Sequence, residues 1–139
     1  MKHATLLALL VLTLSVAGTA QLGSTGTITT KVPFDFVAWN TVVPAGECTV
    51  QRATMGGPAL AIQNFATRKG TFALAIQDGP KPATGVYALV FHKYGDRHFL
   101  TQIRTGDGTV YKLPKGKLER EMVARNQPLE EEILLASAK

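Results

Sequence analysis

Short runs of threonine, valine, isoleucine and phenylalanine, punctuated by glycine and proline clusters, constrain this chain more than any other feature of it. Such runs are too short for packed helices, and their alternation of large apolar with polar side chains suits strands that bury one face. Eight are readable, at 25–31, 34–38, 47–52, 59–63, 71–76, 86–93, 98–104 and 109–113. Spacing of this kind belongs to small antiparallel domains. The expected fold is mainly β: a single antiparallel β-barrel or β-sandwich of about eight strands, with one helix near the C-terminus.

Alternation also assigns faces. Phe34 and Phe36 share one side of their run, as do Cys48 and Val50, Leu60 and Ile62, and Phe72, Leu74 and Ile76; all are expected in the core. The opposite positions Ala59, Ala61, Ala73 and Ala75 then form a small apolar face that needs a cover, either the chain's own C-terminal helix or a partner subunit. For the hairpin from Val86 to Arg104, a three-residue loop Gly95-Asp96-Arg97 brings the large apolar groups together. It pairs Leu89 with Ile103 and Phe91 with Thr101, with Leu89, Phe91, Phe99 and Ile103 inward. His92, Tyr94, His98, Gln102 and Arg104 would share the outer face.

A helix is expected over 115–125, where Lys117 and Glu121, and Glu121 and Arg125, stand four apart and Leu118 and Met122 form an apolar stripe. Asn126, Gln127 and Pro128 end it. The tail 129–139 stays open between helix and strand, because its glutamates and alanines favour one and Ile133, Leu134 and Leu135 the other.

The first twenty residues have a basic start, an apolar run from Ala4 to Ala17 and a small-residue end, Gly18-Thr19-Ala20. That is the layout of a signal peptide, with cleavage expected between Ala20 and Gln21. The apolar run is shorter than the roughly 20 residues that span a bilayer. A single β domain over 21–139 therefore remains, periplasmic or secreted, with no stable membrane span. Losing Lys2 lowers the formal charge from +5 to +4, dispersed rather than clustered and not interleaved with stacking aromatics, which argues against nucleic acid as a partner. With Cys48 as the one cysteine, no disulfide within the chain is possible, and a buried apolar role is expected for it.

Chemistry-bearing patterns are few. His92 and His98, with Asp96 in the loop and Tyr94 between them, could ligate a metal or serve a hydrolase if they converged with a carboxylate, but no third or fourth ligand is evident. No nucleophile frame such as Gly-x-Ser-x-Gly occurs, and the carboxylates Asp35, Glu47, Asp78, Asp96 and Asp107 show no spacing that singles out a catalytic pair. Gly106-Asp107-Gly108 reads as a hairpin turn and Lys115-Gly116-Lys117 as a helix start, neither with the order of a P-loop. Trp39, ahead of Pro44-Ala45-Gly46, either closes the end of the core or stacks on a ligand or partner. No catalytic, cofactor or metal residue is assigned on this reading.

Val32-Pro33-Phe34-Asp35-Phe36-Val37 with Pro44-Ala45-Gly46-Glu47 and Thr49-Val50, then Tyr94-Gly95-Asp96-Arg97 with Phe99-Leu100, and Leu113-Pro114-Lys115 leading to Glu119-Arg120-Glu121, resemble a family of small secreted bacterial β-rich proteins of unassigned function. The likeness spans most of the chain after the leader and implies an exported β domain, with no substrate, cofactor or catalytic residue to carry over. Its segments suit a turn into a strand, a hairpin end and an exposed helix face. The function expected is that of a non-catalytic binding or structural module of the cell envelope, engaging an envelope protein or itself. The alternative is a carrier holding a small apolar ligand in an unfilled barrel.

Overall fold

The computed structural model of the chain describes residues 27–53, 59–78 and 81–138. The leader 1–20 lies outside them. The described strands are β1 (Ile28–Val32), β2 (Phe36–Ala38), β3 (Thr41–Val43), β4 (Gly46–Arg52), β5 (Ala59–Asn64), β6 (Gly70–Leu74), β7 (Ile76–Asp78), β8 (Tyr87–Tyr94), β9 (Arg97–Arg104), β10 (Val110–Lys112) and β11 (Leu129–Ala138). One helix, α1 (Lys117–Ala124), precedes β11. The fold is mainly β, as expected, but with eleven strands rather than about eight. The run at 71–76 divides into β6 and β7, and β3 and β11 are additional.

The strands follow the order β3-β2-β9-β8-β11-β1-β4-β5-β6 and curl into a nearly closed barrel. Closure comes from the continuous β6–β7 run, which changes partner at Ala75: β6 pairs with β5, and β7 with β10, itself laddered to β9. The free edge of β9 is shared, His98 to Leu100 taking β2 and Gln102 to Arg104 taking β10. The β2–β9 ladder is parallel, so the sheet is not wholly antiparallel. The tail is strand because β8 and β1 each present an unpaired edge that β11 fills, from Leu129 opposite Tyr94 to Ala138 opposite Ile28. Satisfying two rows of backbone groups outweighs the local helix propensity of its glutamates.

Inside, Phe36, Phe91, Ile62, Leu89 and Ile103 are fully buried, and the Phe36 and Phe91 rings meet edge to face at 5.2 Å. Cys48 lies among them, its thiol pushed up to about 12 by burial.

Two strands carry faces opposite to expectation. Along β6, Ala73 and Ala75 turn inward and are buried, while Phe72, Leu74 and Ile76 point out, each about two-thirds exposed at 69%, 67% and 68%. Register explains the inversion: Phe72 stands opposite Ala61 and Leu74 opposite Ala59, and β5 is committed by Leu60, Ile62 and Asn64 to the interior. Ala73 and Ala75 are the small members of a core that larger side chains of other strands share. The second departure is in the β8–β9 hairpin. Its loop has two residues, Gly95 and Asp96, with Gly95 at the positive φ of 60° that such a turn needs. Leu89 does face Ile103, but a bulge between Val90 and Phe91 pairs Phe91 with Leu100 rather than Thr101. The displaced Thr101 donates its hydroxyl to the Val90 carbonyl at 3.1 Å.

Candidate functional site

The bulge separates the two histidines that alternation alone places together. Beyond it, His92 pairs with Phe99 and Lys93 with His98, so the pairs lie on opposite faces of the hairpin. His98 turns toward the interior, stacked on Phe34 at 3.6 Å between ring centroids, with Nε2 3.5 Å from Glu132. Lys93 reaches the same carboxylate at 4.0 Å. Phe34 in turn meets Phe91 edge to face.

His92 faces outward beneath α1. Its Nδ1 lies 3.6 Å from Glu119 and its Nε2 3.8 Å from Glu131, both longer than a hydrogen bond. Glu119, expected on an exposed helix face, is buried and accepts the Tyr94 hydroxyl at 3.4 Å. Burial raises the Glu119 carboxyl above its ordinary range, against the opposing pull of His92 and Lys115; burial followed by the Glu119 charge raises the Tyr94 phenol. Around this contact Val37, Tyr94 and Phe99 form a second apolar cluster on the outside of the sheet, covered by Leu118 and Met122 of the helix. The helix therefore covers the hairpin and not the alanine positions.

Its placement is fixed at the start by the β2–β3 turn. Asn40 Oδ1 accepts the Lys117 N–H at 2.9 Å, a cap delivered from far along the chain where Gly116 offers no side chain. Gly116 itself sits against the Trp39 carbonyl, so any side chain there would collide with it. Trp39 holds a left-handed φ of 56° and is partly exposed, so its ring does not seal the core.

The remaining patterns serve turns. Asp107 accepts from Thr105 Oγ1 and from the Thr109 N–H, which lower its carboxyl below the ordinary range. Asp35 accepts the Ala45 N–H at 2.7 Å, joining the Pro33-Phe34-Asp35 segment to Pro44-Ala45-Gly46. The same turn is held by Asn64, to which no role was assigned from sequence. Its Nδ2 donates to the Pro44 and Ala45 carbonyls at 3.1 and 3.0 Å, and its Oδ1 accepts from Ala66 and Thr67, both at 2.9 Å. A buried asparagine with every partner supplied acts as a clamp. Its turn contacts to Ala66 and Thr67 are local, but the Pro44 and Ala45 carbonyls that complete the clamp come from a distant loop.

No group of three or more potential ligating side chains that could hold a metal occurs among the described residues. The two histidines lie apart, His92 beside Glu119 of the helix and His98 against Phe34. Among the large apolar side chains that stay outward, Phe72, Leu74 and Ile76 form a row flanked by Ala59 and Ala61 on β5. Strand β3, with Val42 also outward and exposed, lies against β6 without sharing a ladder. Comparison with known protein families, with curated proteins and with solved structures finds no match.

Proposed function

We propose that this chain is an exported, non-catalytic binding or structural module of the cell envelope, acting through the outer face of β5, β6 and β7 on another protein surface. The outward row of Phe72, Leu74 and Ile76 carries this reading. Large apolar side chains gain roughly 1.5–3 kcal/mol apiece when fully buried, and here the small alternate residues receive that burial instead. An apolar row that the fold leaves uncovered fits a surface completed by association. The separation of His92 from His98 directs attention away from a shared histidine face and toward this apolar row. The signal-peptide layout of 1–20 and the resemblance to exported β domains support an envelope setting.

The test has two parts. Expressed with its leader in a bacterial host, the protein is expected in the exported fraction with a mass that begins at Gln21. Purified and dilute, it is expected to be retained on a phenyl matrix more strongly than a Phe72→Thr, Leu74→Thr, Ile76→Thr variant of unchanged circular dichroism. Retention of the uncleaved chain in the cytoplasm, or equal elution of the two proteins, would contradict the proposal.

A further inference from the structure

We infer that His92 and Glu119 form a proton-dependent clasp that holds α1 on the β8–β9 hairpin, tightening in acid and slackening as the pair loses its proton. The placement of the groups carries the argument. His92 stands between two carboxylates from different elements, with Nδ1 3.6 Å from Glu119 on α1 and Nε2 3.8 Å from Glu131 on β11. Nδ1 is buried and has no hydrogen-bond partner among the described residues. Glu119 is the buried residue of α1, and its Oε1 faces both the imidazole and the Tyr94 hydroxyl, the latter at 3.4 Å. Lys115, ahead of the helix, also acts on the Glu119 charge. From β9 the uncharged Phe99 stands opposite His92, whereas Lys93, His98 and Glu132 gather on the other face of the hairpin.

A carboxyl is tolerated in such a place where it holds a proton or faces a cation. One proton meets either need: on Glu119 it removes the charge, and on His92 it sets an imidazolium between Glu119 and Glu131. Once neither group holds it, Glu119 is a buried anion beside a neutral ring, and leaving the sheet for water relieves the cost. Burial acts in the same direction, raising the Glu119 carboxyl above its ordinary range. The docked helix therefore binds more protons than the released one, so docking is favoured as pH falls and lost as it rises. With eight residues, α1 is shorter than the roughly 12–15 below which isolated helices are marginal in water. Its order depends on the contacts that dock it. Glu119 lies between Leu118 and Met122, which cover Val37, Tyr94 and Phe99, so slackening the clasp uncovers that apolar cluster.

The experiment is amide hydrogen exchange of the processed protein, followed by NMR at about pH 5 and about pH 8, the interval in which histidine ordinarily changes charge. Rates are corrected for their intrinsic dependence on pH. Between the two conditions the amides of Glu121 to Arg125 are expected to lose more protection than those of Leu89 and Ile103 in the core. The Met122 methyl resonance is expected to move toward its random-coil position at the higher pH, as the helix leaves the Tyr94 and Phe99 rings. Glu119→Gln, which keeps an acceptor for Tyr94 without a charge, is expected to hold α1 equally at both. His92→Gln leaves Glu119 without its cation and is expected to move the loss of protection to lower pH. Wild-type α1 protection that falls no more than that of the core overturns the clasp, and needs no variant to show it. The wild-type loss persisting in Glu119→Gln, or an unshifted transition in His92→Gln, overturns the assignment to this pair.

Discussion

Two apolar patches on the outside of the barrel differ in their cover: one lies beneath a helix, and the other is open. At the β8–β9 hairpin, Val37, Tyr94 and Phe99 lie beneath α1 and are 6%, 4% and 1% exposed. On β6 and β7, Phe72, Leu74 and Ile76 have comparable side chains and stay open. The difference lies in what the chain holds over each face. The hairpin receives a helix anchored by Asn40 at its start and by Tyr94 and Glu119 along its length, all contacts within one polypeptide. The β6 row has flanking alanines and a neighbouring edge strand, and no such element among the described residues. Outward hydrophobic faces thus take two forms in this fold: one is covered within the chain, and the other stays exposed.

The largest expected effect that separates the two faces is on stability. Phe99→Ala removes a ring from beneath the helix and is expected to cost about 3–5 kcal/mol in denaturant unfolding, whereas Phe72→Ala changes stability by about 0.5 kcal/mol or less in the dilute monomer. Equal losses at the two positions would remove the distinction. A smaller effect concerns pH. Because burial raises the Glu119 carboxyl, the folded chain keeps a proton over an interval in which the unfolded chain has released it. Stability from this group is thus gained as pH falls from neutral through the raised folded value, and the gain is complete near the ordinary glutamate value. Glu119→Gln, which keeps an acceptor for Tyr94, is expected to flatten thermal unfolding against pH in that window. An unchanged slope would mean that the contact beneath the helix does not carry the coupling.

What the sequence disclosed divides along a physical line. Features set by neighbours along the chain were legible: seven of the short runs as strands, the helix over Lys117–Ala124, the Asp107 turn, and the pairing of Leu89 with Ile103. Features set by the far side of the barrel were not. The face of β6 follows from its register with β5, and size alone assigns Phe72 and Leu74 to the wrong side. One bulge residue, Thr101, was enough to send His98 inward and Phe99 outward, undoing the shared histidine face. Glu119 and Asn64 are polar residues whose burial is tolerated only because partners arrive from elsewhere: Tyr94 for one, two separate loops for the other. Strand β11 needed both of its neighbours before its state was decided.

The most direct test of the central claim is solvent paramagnetic relaxation of side-chain methyl groups in the processed protein, measured by NMR with a soluble gadolinium chelate at low protein concentration. The account expects strong relaxation at Leu74 and Ile76, comparable with that at Leu135, and almost none at Ala73, Ala75, Leu89 and Ile103. Strong relaxation at the two alanines with protection of Leu74 and Ile76 would mean that β6 faces the other way, and the surface on which the functional reading rests would not exist.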